Sequence, residues 1–201
     1  MIAIIDYGVG NLYSLSHSLT HIGAENIVTR DPAVIERADK LILPGVGAFG
    51  DAKKKLDDTG LTPLILRRVK EGAPLLGICL GMQMLFDRSF EYGEHEGLHL
   101  IPGEICPIEP DLNRPLKVPH IGWNSLKIVR PCLLTKYICE GDSVYYVHSY
   151  YAKNVGEALC ASSEYDVEVP GIVRNGNVYG TQFHPEKSGE IGLRILRAFA
   201  E

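Results

Sequence analysis

With 201 residues, 45% of them hydrophobic and 22% charged, the chain has the make-up of a globular protein able to bury a sizeable core. A formal charge of −5 offers no basic stripe for nucleic acid or an anionic membrane. No run of about 18 apolar residues is present to span a bilayer, and the length points to one domain, residues 1–201.

The opening segment, MIAIIDYGVGN, has no basic stretch and reaches an acid at Asp6. It is therefore expected to be a buried strand of a cytoplasmic protein, not a secretory leader. Ile2 to Ile5 form the apolar run, and Leu12, Leu15, Leu19 and Ile22 then recur at helical spacing up to Gly23. Asn26 to Thr29 and the run KLILPG, ending at Pro44, predict two more strands. Residues 49–72 hold one or two helices, with Gly60 and Pro63 as the break. PLLGIC predicts another strand, and GMQMLFD a helix directly after it. This alternation argues for a parallel sheet with helices on its faces.

The second half changes character. Short strands are predicted at SLKIV, SVYYVHSYY, ALCASS and PGIVRNGNVYGTQF. Asn175–Gly176 between apolar runs signals a hairpin with a type I′ turn, so antiparallel strands should extend the sheet. Residues 188–200 close the chain as a helix with Ile191, Ile195, Leu196 and Phe199 on its apolar stripe. The fold expected is α/β: a mostly parallel central sheet flanked by helices, with antiparallel strands added in the C-terminal half.

Five cysteines occur, at 79, 106, 132, 139 and 160, an odd number with no CxxC pair. That argues against a zinc site or a disulfide framework and leaves a thiol free to act as a nucleophile. Cys79 lies in Gly77-Ile78-Cys79-Leu80-Gly81, between a buried strand and a helix. A sharp strand-to-helix turn forces the nucleophile into an unusual conformation and demands small neighbours. The sulfur then sits at the carboxyl end of the sheet, where open α/β sheets place ligands, and beside a helix N-terminus that favours a thiolate. The competing reading is a core cysteine between two glycines.

A thiol needs a base, and a histidine base needs a group that fixes its tautomer. Thr181-Gln182-Phe183-His184-Pro185-Glu186 supplies both, with His184 as base and Glu186 as its partner. Alone, a His-Pro step also fits a surface loop. The third feature is Leu43-Pro44-Gly45-Val46-Gly47-Ala48-Phe49-Gly50 after a strand. Its glycines allow backbone N–H groups to approach an oxyanion, with the Leu80 N–H as a second donor. A phosphate loop is the weaker reading, because GxxxxGK[ST] and GxGxxG are both missing. No cofactor and no metal are expected. A plain tight turn is the remaining alternative.

Together these segments resemble the class I, triad-type glutamine amidotransferases. GICLGMQ and QFHPE carry the class, while DYGVGN, PHIGWN and VHSY are similar to the glutaminase subunits of imidazole glycerol phosphate synthase. The resemblance covers residue 2 to the end and implies the flavodoxin-like sheet of that class. It implies that Cys79 attacks the glutamine side-chain amide, with His184 moving protons and Glu186 orienting it. Leu80 with Val46 or Gly47 would hold the oxyanion, and Gly47, Gln83, His148 and Ser149 would bind glutamine. It also implies a partner, a (β/α)8-barrel cyclase subunit that receives the ammonia and makes imidazole glycerol phosphate and AICAR in histidine biosynthesis. Asn11, Pro119, His120, Trp123, Asn124 and Tyr145 are the interface residues it suggests.

Each of these has a plainer reading. Gln83 would otherwise be an exposed helix residue, and Trp123, the only tryptophan, a core side chain. His120 and His148 could be hydrogen-bonded structural histidines. Asn11 and Asp6 could brace the first turn. The tyrosines at 145, 146, 150 and 151 fit strand packing. Rival functions are a glutaminase serving another synthase, a free-standing γ-glutamyl hydrolase, and a binding protein that has lost catalysis.

Overall fold

The computed structural model describes residues 1–201. The first half alternates β1 (Ile2–Ile5), α1 (Leu12–His21), β2 (Asn26–Thr29), α2 (Pro32–Arg37), β3 (Lys40–Gly45), α3 (Phe49–Asp58), α4 (Thr62–Lys70) and β4 (Leu75–Cys79). The helical region does split in two: α4 begins with Pro at an early position that lacks a hydrogen-bond duty, and Gly60 takes a φ of +71° between the helices. Strands β1, β3 and β4 are buried along nearly every residue, as strands covered on both faces must be.

After β4 comes α5, Leu80–Gln83, a single turn in place of the helix expected through residue 87. The carbonyls of Met84, Leu85 and Phe86 are instead taken by the amides of Leu98, Leu100, Ile101 and His99. A crossing segment thus satisfies groups that a longer helix would have used.

Next come β5 (Arg88–Ser89), β6 (His95–Glu96), β7 (Glu104–Pro107), β8 (His120–Ser125), β9 (Lys127–Ile128), β10 (Ser143–His148) and β11 (Tyr150–Lys153). They are followed by β12 (Leu159–Glu164), β13 (Glu168–Asn175), β14 (Val178–Thr181) and α6 (Gly189–Ala200). The main sheet runs β2-β1-β3-β4-β14-β13-β12-β9. Its first five strands are parallel and the last three are joined by antiparallel pairing. This is the expected arrangement, with the strand order of flavodoxin-like sheets at its parallel end. Strands β5, β6, β7 and β11 form a second sheet, and β8 with β10 an antiparallel ribbon.

Three local expectations are corrected. Residues 119–124 read as a polar loop but contain β8, because His120, Gly122 and Asn124 alternate with the exposed Ile121 and Trp123 along an extended chain. The long strand at SVYYVHSYY breaks at Ser149 into β10 and β11, which join different sheets. The β13–β14 hairpin turns at Gly176–Asn177, one residue later than expected, since Asn175 still pairs with Val178. Of the turn residues only Gly176 has positive φ, +59°, which is the signature of a type II′ turn and not I′.

The two faces of the main sheet carry separate apolar clusters. Ala3, Ile5, Leu41, Leu43 and Leu75 pack against Ile35 of α2, Phe49 and Leu56 of α3, and Ile65 of α4. On the other face Ile4, Ile42, Leu76 and Ile78 join Leu15 and Leu19 of α1 with Ile195, Leu196 and Phe199 of α6. Burying each such side chain contributes roughly 1.5–3 kcal/mol, so both helical layers are firmly attached. No helix is long and apolar enough to cross a membrane.

Candidate functional site

Parallel pairing brings the predicted residues together. Register sets Gly45 beside Cys79 and Ile78 beside Thr181. The ends of β3, β4 and β14 therefore deliver the Gly45–Gly47 loop, Cys79 and His184 to one edge of the sheet.

Cys79 sits at φ +53°, ψ −112°, a backbone state that L-residues rarely occupy. Close glycine packing holds it there. A Cβ at Gly81 would lie 1.8 Å from the Leu43 carbonyl oxygen, and one at Gly77 would lie 2.7 Å from the Gly81 oxygen. A Cβ at Gly45 would meet the Gly81 nitrogen at 2.6 Å. The turn and the neighbouring strand thus interlock through backbone, and no side chain fits between them.

His184 is buried. Its Nδ1–H donates to Glu186 Oε1 at 2.8 Å, which leaves Nε2 toward the Cys79 sulfur. Glu186 Oε2 makes no hydrogen bond within the protein, so the carboxylate's charge is committed mainly to the imidazole. Asn11 Nδ2 approaches the same Oε1 at 3.5 Å. Burial opposes a charge on His184, but hydrogen bonding and attraction from Cys79 and Glu186 outweigh it and raise its pKa to about 10.

The backbone around His184 is docked on the ribbon. Its N–H donates to the Tyr145 carbonyl at 3.0 Å, and Ser188 Oγ donates to the His184 carbonyl at 2.6 Å while accepting the Tyr145 N–H at 2.9 Å. Ser188 was not among the sequence candidates. A serine after a helix-breaking Pro gives no signal that it will clamp a strand 43 residues earlier.

Cys79, Leu80, Val46, Gly47, Gln83, His148, Ser149 and His184 all line one cavity of about 300 Å³. Gly47 has φ +92° with open space around it, whereas Gly45 is wedged against Leu80 and Gly81. Gln83 is only 4% exposed, against the plainer expectation of an exposed helix position. Its Nε2 donates to the Tyr150 carbonyl at 3.0 Å and to Gln182 Oε1 at 3.1 Å. Gln182 Nε2 in turn faces Cys79 Sγ at 3.9 Å. Gln182 and Glu91 were missed in the sequence. Glu91 is the only carboxylate lining the cavity, and its Oε2 accepts the Phe49 N–H at 2.6 Å. Burial raises its pKa, opposed in part by that hydrogen bond.

The suggested interface residues divide. Trp123 is 59% exposed and Tyr145 packs edge-on against it, with ring centroids 5.9 Å apart. Pro119 lines the cavity. Asn11 does not cap α1 with its side chain but points to Glu186. Asp6 braces the first turn by accepting the Gly8 N–H and pairing with Arg30. His120 is a correction: it is 3% exposed, stacked between Tyr146 and Tyr165, and presents no ring surface to a partner. The alternation of β8 turns it inward with Asn124, while Ile121 and Trp123 face out.

A thiol on a strained strand-to-helix turn thus lies beside a carboxylate-paired histidine at the carboxyl edge of this sheet, the arrangement the resemblance to the glutamine amidotransferases implies. The family model described as glutamine amidotransferase class-I matches residues 3–201. A solved structure titled as a glutamine amidotransferase superimposes with a TM-score of 0.76 at 21% identity, covering 99% of this chain and 97% of that one. PurLQS from Thermotoga maritima gives 0.75 at 18%, covering 98% and 96%. At those identities the likeness shows the fold alone.

The sequence relatives are nearer. The imidazole glycerol phosphate synthase subunit HisH of Geobacillus sp. (strain WCH70) is 53% identical over 204 residues, covering 100% of this chain and 96% of that protein. HisH of Bacillus cereus (strain G9842) is 51% identical over 199 residues, covering 99% and 93%. HisH of Listeria monocytogenes serotype 4a (strain HCC23) is 50% identical over 203 residues, covering 100% and 95%. The chain belongs to the HisH family, the class I glutamine amidotransferase subunits of imidazole glycerol phosphate synthase. Glutamine hydrolysis is the activity that membership implies, and a subunit implies a partner.

Proposed function

We propose that this chain, acting as one domain over residues 1–201 in the cytoplasm, releases ammonia from glutamine through a Cys79–His184–Glu186 triad. The ammonia passes to a (β/α)8-barrel cyclase subunit that makes imidazole glycerol phosphate and AICAR. The observation that carries this reading is the buried His184–Glu186 pair facing Cys79 in one cavity.

Cys79 Sγ attacks the side-chain carboxamide carbon of glutamine as a thiolate, with His184 holding the proton. The C–N bond breaks, His184 protonates the departing nitrogen, and a γ-glutamyl thioester remains. His184 then takes a proton from water, whose oxygen attacks the thioester; the C–S bond breaks and glutamate leaves. Glu186 fixes the Nδ1–H tautomer throughout. The Leu80 N–H and a donor from the Val46–Gly47 peptide stabilise the tetrahedral oxyanion. Gly47, Gln83, His148 and Ser149 surround the substrate, and Glu91 offers a carboxylate for its ammonium group.

Gly47, at positive φ with free space where a Cβ would stand, lets the Val46–Gly47 peptide rotate at low cost, so the oxyanion donor is out of place at rest and is set by the activated partner. Unliganded and activated structures with that peptide in one orientation would contradict this. The ribbon's Trp123 and Tyr145, with Asn11 and Pro119, form the side offered to the cyclase, and Asn124, turned inward, supports that ribbon from behind. The direct experiment is glutamate release from glutamine by the full chain, alone and with a cyclase subunit carrying its nucleotide ligand. Strong activation only in the liganded complex supports the proposal; full activity alone favours a free-standing hydrolase.

A further inference from the structure

Between the ribbon and the cavity lies a continuous line of hydrogen bonds. Asn124 Nδ2 approaches His120 Nε2 at 3.4 Å, His120 Nδ1 lies 2.9 Å from His148 Nε2, and His148 Nδ1 lies 3.0 Å from the Tyr150 carbonyl oxygen. That same oxygen accepts Gln83 Nε2 at 3.0 Å. The line does not include the Cys79–His184–Glu186 triad.

Both ends fix the direction of the protons. A carbonyl oxygen only accepts, so His148 must carry its proton on Nδ1. In a neutral ring His148 Nε2 then accepts, which requires the proton of His120 on Nδ1. His120 Nε2 is left to accept from the Asn124 amide. That amide cannot be reversed, because its nitrogen also donates to the Glu164 carbonyl at 2.9 Å. Both rings are neutral on physical grounds: burial lowers the pKa of His120 to about 4, and burial followed by repulsion from His120 lowers that of His148 to about 3. His120 is further held by stacking on Tyr165 and Tyr146, with ring centroids 3.9 and 4.8 Å away.

The consequence falls on Gln83. Its nitrogen is bound by the Tyr150 carbonyl and by Gln182, so its oxygen, which makes no hydrogen bond within the protein, is left to the cavity as an acceptor. A glutamine side-chain amide or ammonium offers the N–H groups such an acceptor needs. We infer that His120 is a positioning residue for glutamine: through His148 and the Tyr150 carbonyl it locks the Gln83 amide with its oxygen toward the substrate. This rests on the cavity being the glutamine site. The line is directional: without the His120 donor, His148 can carry its proton on Nε2, and its bare Nδ1 then faces the Tyr150 carbonyl oxygen that holds Gln83 and repels it.

Two measurements test it. Long-range proton–nitrogen NMR on the full chain at neutral pH should find both His120 and His148 neutral and protonated on Nδ1, the less common tautomer of free histidine. A ring protonated on Nε2 alone, or charged, overturns the relay without any mutation. Kinetics with the cyclase complex give the second readout. His120→Phe keeps a flat ring for stacking but has no donor, and a displaced hydrogen bond of this kind corresponds to about a tenfold rise in the KM for glutamine. kcat should change less, since Gln83 holds substrate before and during bond breaking alike. His120→Asn restores a donor near Nδ1 and should recover most of that loss. A folded His120→Phe enzyme with unchanged KM, or His120→Asn no better than His120→Phe, contradicts the inference. Should His120→Phe fail to fold, the tautomers still decide it. Inactivation by iodoacetamide in proportion to Cys79 alkylation tests the site itself, so a failure there is separable from a failure of His120.

Discussion

The two sides of the cavity are built by different means. On the side of β3, β4 and α5, Cys79 is placed by backbone packed against backbone: Gly45, Gly77 and Gly81 leave no room for a single added carbon. Facing it, against β8 and β10, His184, the two histidines and the tip of the Gln83 side chain, which reaches across from α5, are placed by hydrogen bonds through Ser188, Tyr150 and Gln182. The first construction is rigid because interior packing cannot yield locally. The second is adjustable, since each bond can be exchanged for another at modest cost. On the proposed mechanism the first construction holds the nucleophile and the second the groups around the substrate.

The sharpest way to probe the rigid side is to remove its chemistry and keep its shape. Cys79→Ala should lower glutamine hydrolysis by on the order of 10⁴-fold or more, while the melting curve and partner binding stay near normal and supplied ammonia still supports the cyclase. Retained hydrolysis would place the nucleophile elsewhere. Gly81→Ala does the reverse, leaving the thiol and disrupting its frame. With its Cβ 1.8 Å from the Leu43 oxygen, it should lose about 3 kcal/mol or more in denaturant unfolding or fail to fold. A small loss there would show that the elbow is looser than its packing implies.

The adjustable side should show graded effects. Glu186→Gln should slow hydrolysis on the order of 10²-fold. The Glu186 carboxylate favours the imidazolium, so its removal lowers the raised pKa of His184 from about 10 toward the ordinary histidine value. The alkaline limb of the rate profile, where the proton for departing ammonia is lost, should therefore move to lower pH. A limb that stays in place would separate Glu186 from His184. Trp123→Ala touches only the outer face of the ribbon. It should cost about 2 kcal/mol in affinity for the cyclase subunit and change unfolding stability by no more than about 0.5 kcal/mol. Unchanged affinity would remove Trp123 from the interface.

The same division explains what could be read from the sequence. Apolar runs and glycines are local signals, so β1, β3, β4 and the turn at Cys79 were legible, and Gly60 and Pro63 marked where residues 49–72 could divide into α3 and α4. The shortness of α5 was not, because it depends on amides of residues 98–101 reaching back to its end. His184 and Glu186 stood out as a pair two residues apart. Gln182, one of the residues that hold Gln83 in place, looked like any strand-end glutamine, since its partners lie 99 and 103 residues away. His120 stayed open between an interface residue and a hydrogen-bonded structural histidine, because PHIGWN is polar and glycine-containing. Only the pleat of β8 shows that alternate residues turn inward, and a short alternation interrupted by Gly122 is too weak a pattern to fix the facing in advance.

One measurement bears most directly on the triad: acid-quenching the liganded complex during turnover of glutamine and mass-analysing its peptides. The triad predicts a peptide containing Cys79 that is heavier by one γ-glutamyl group, present with glutamine and missing in Cys79→Ala. Steady glutamate release with no modified Cys79 peptide, or with the added group on another residue, would contradict it.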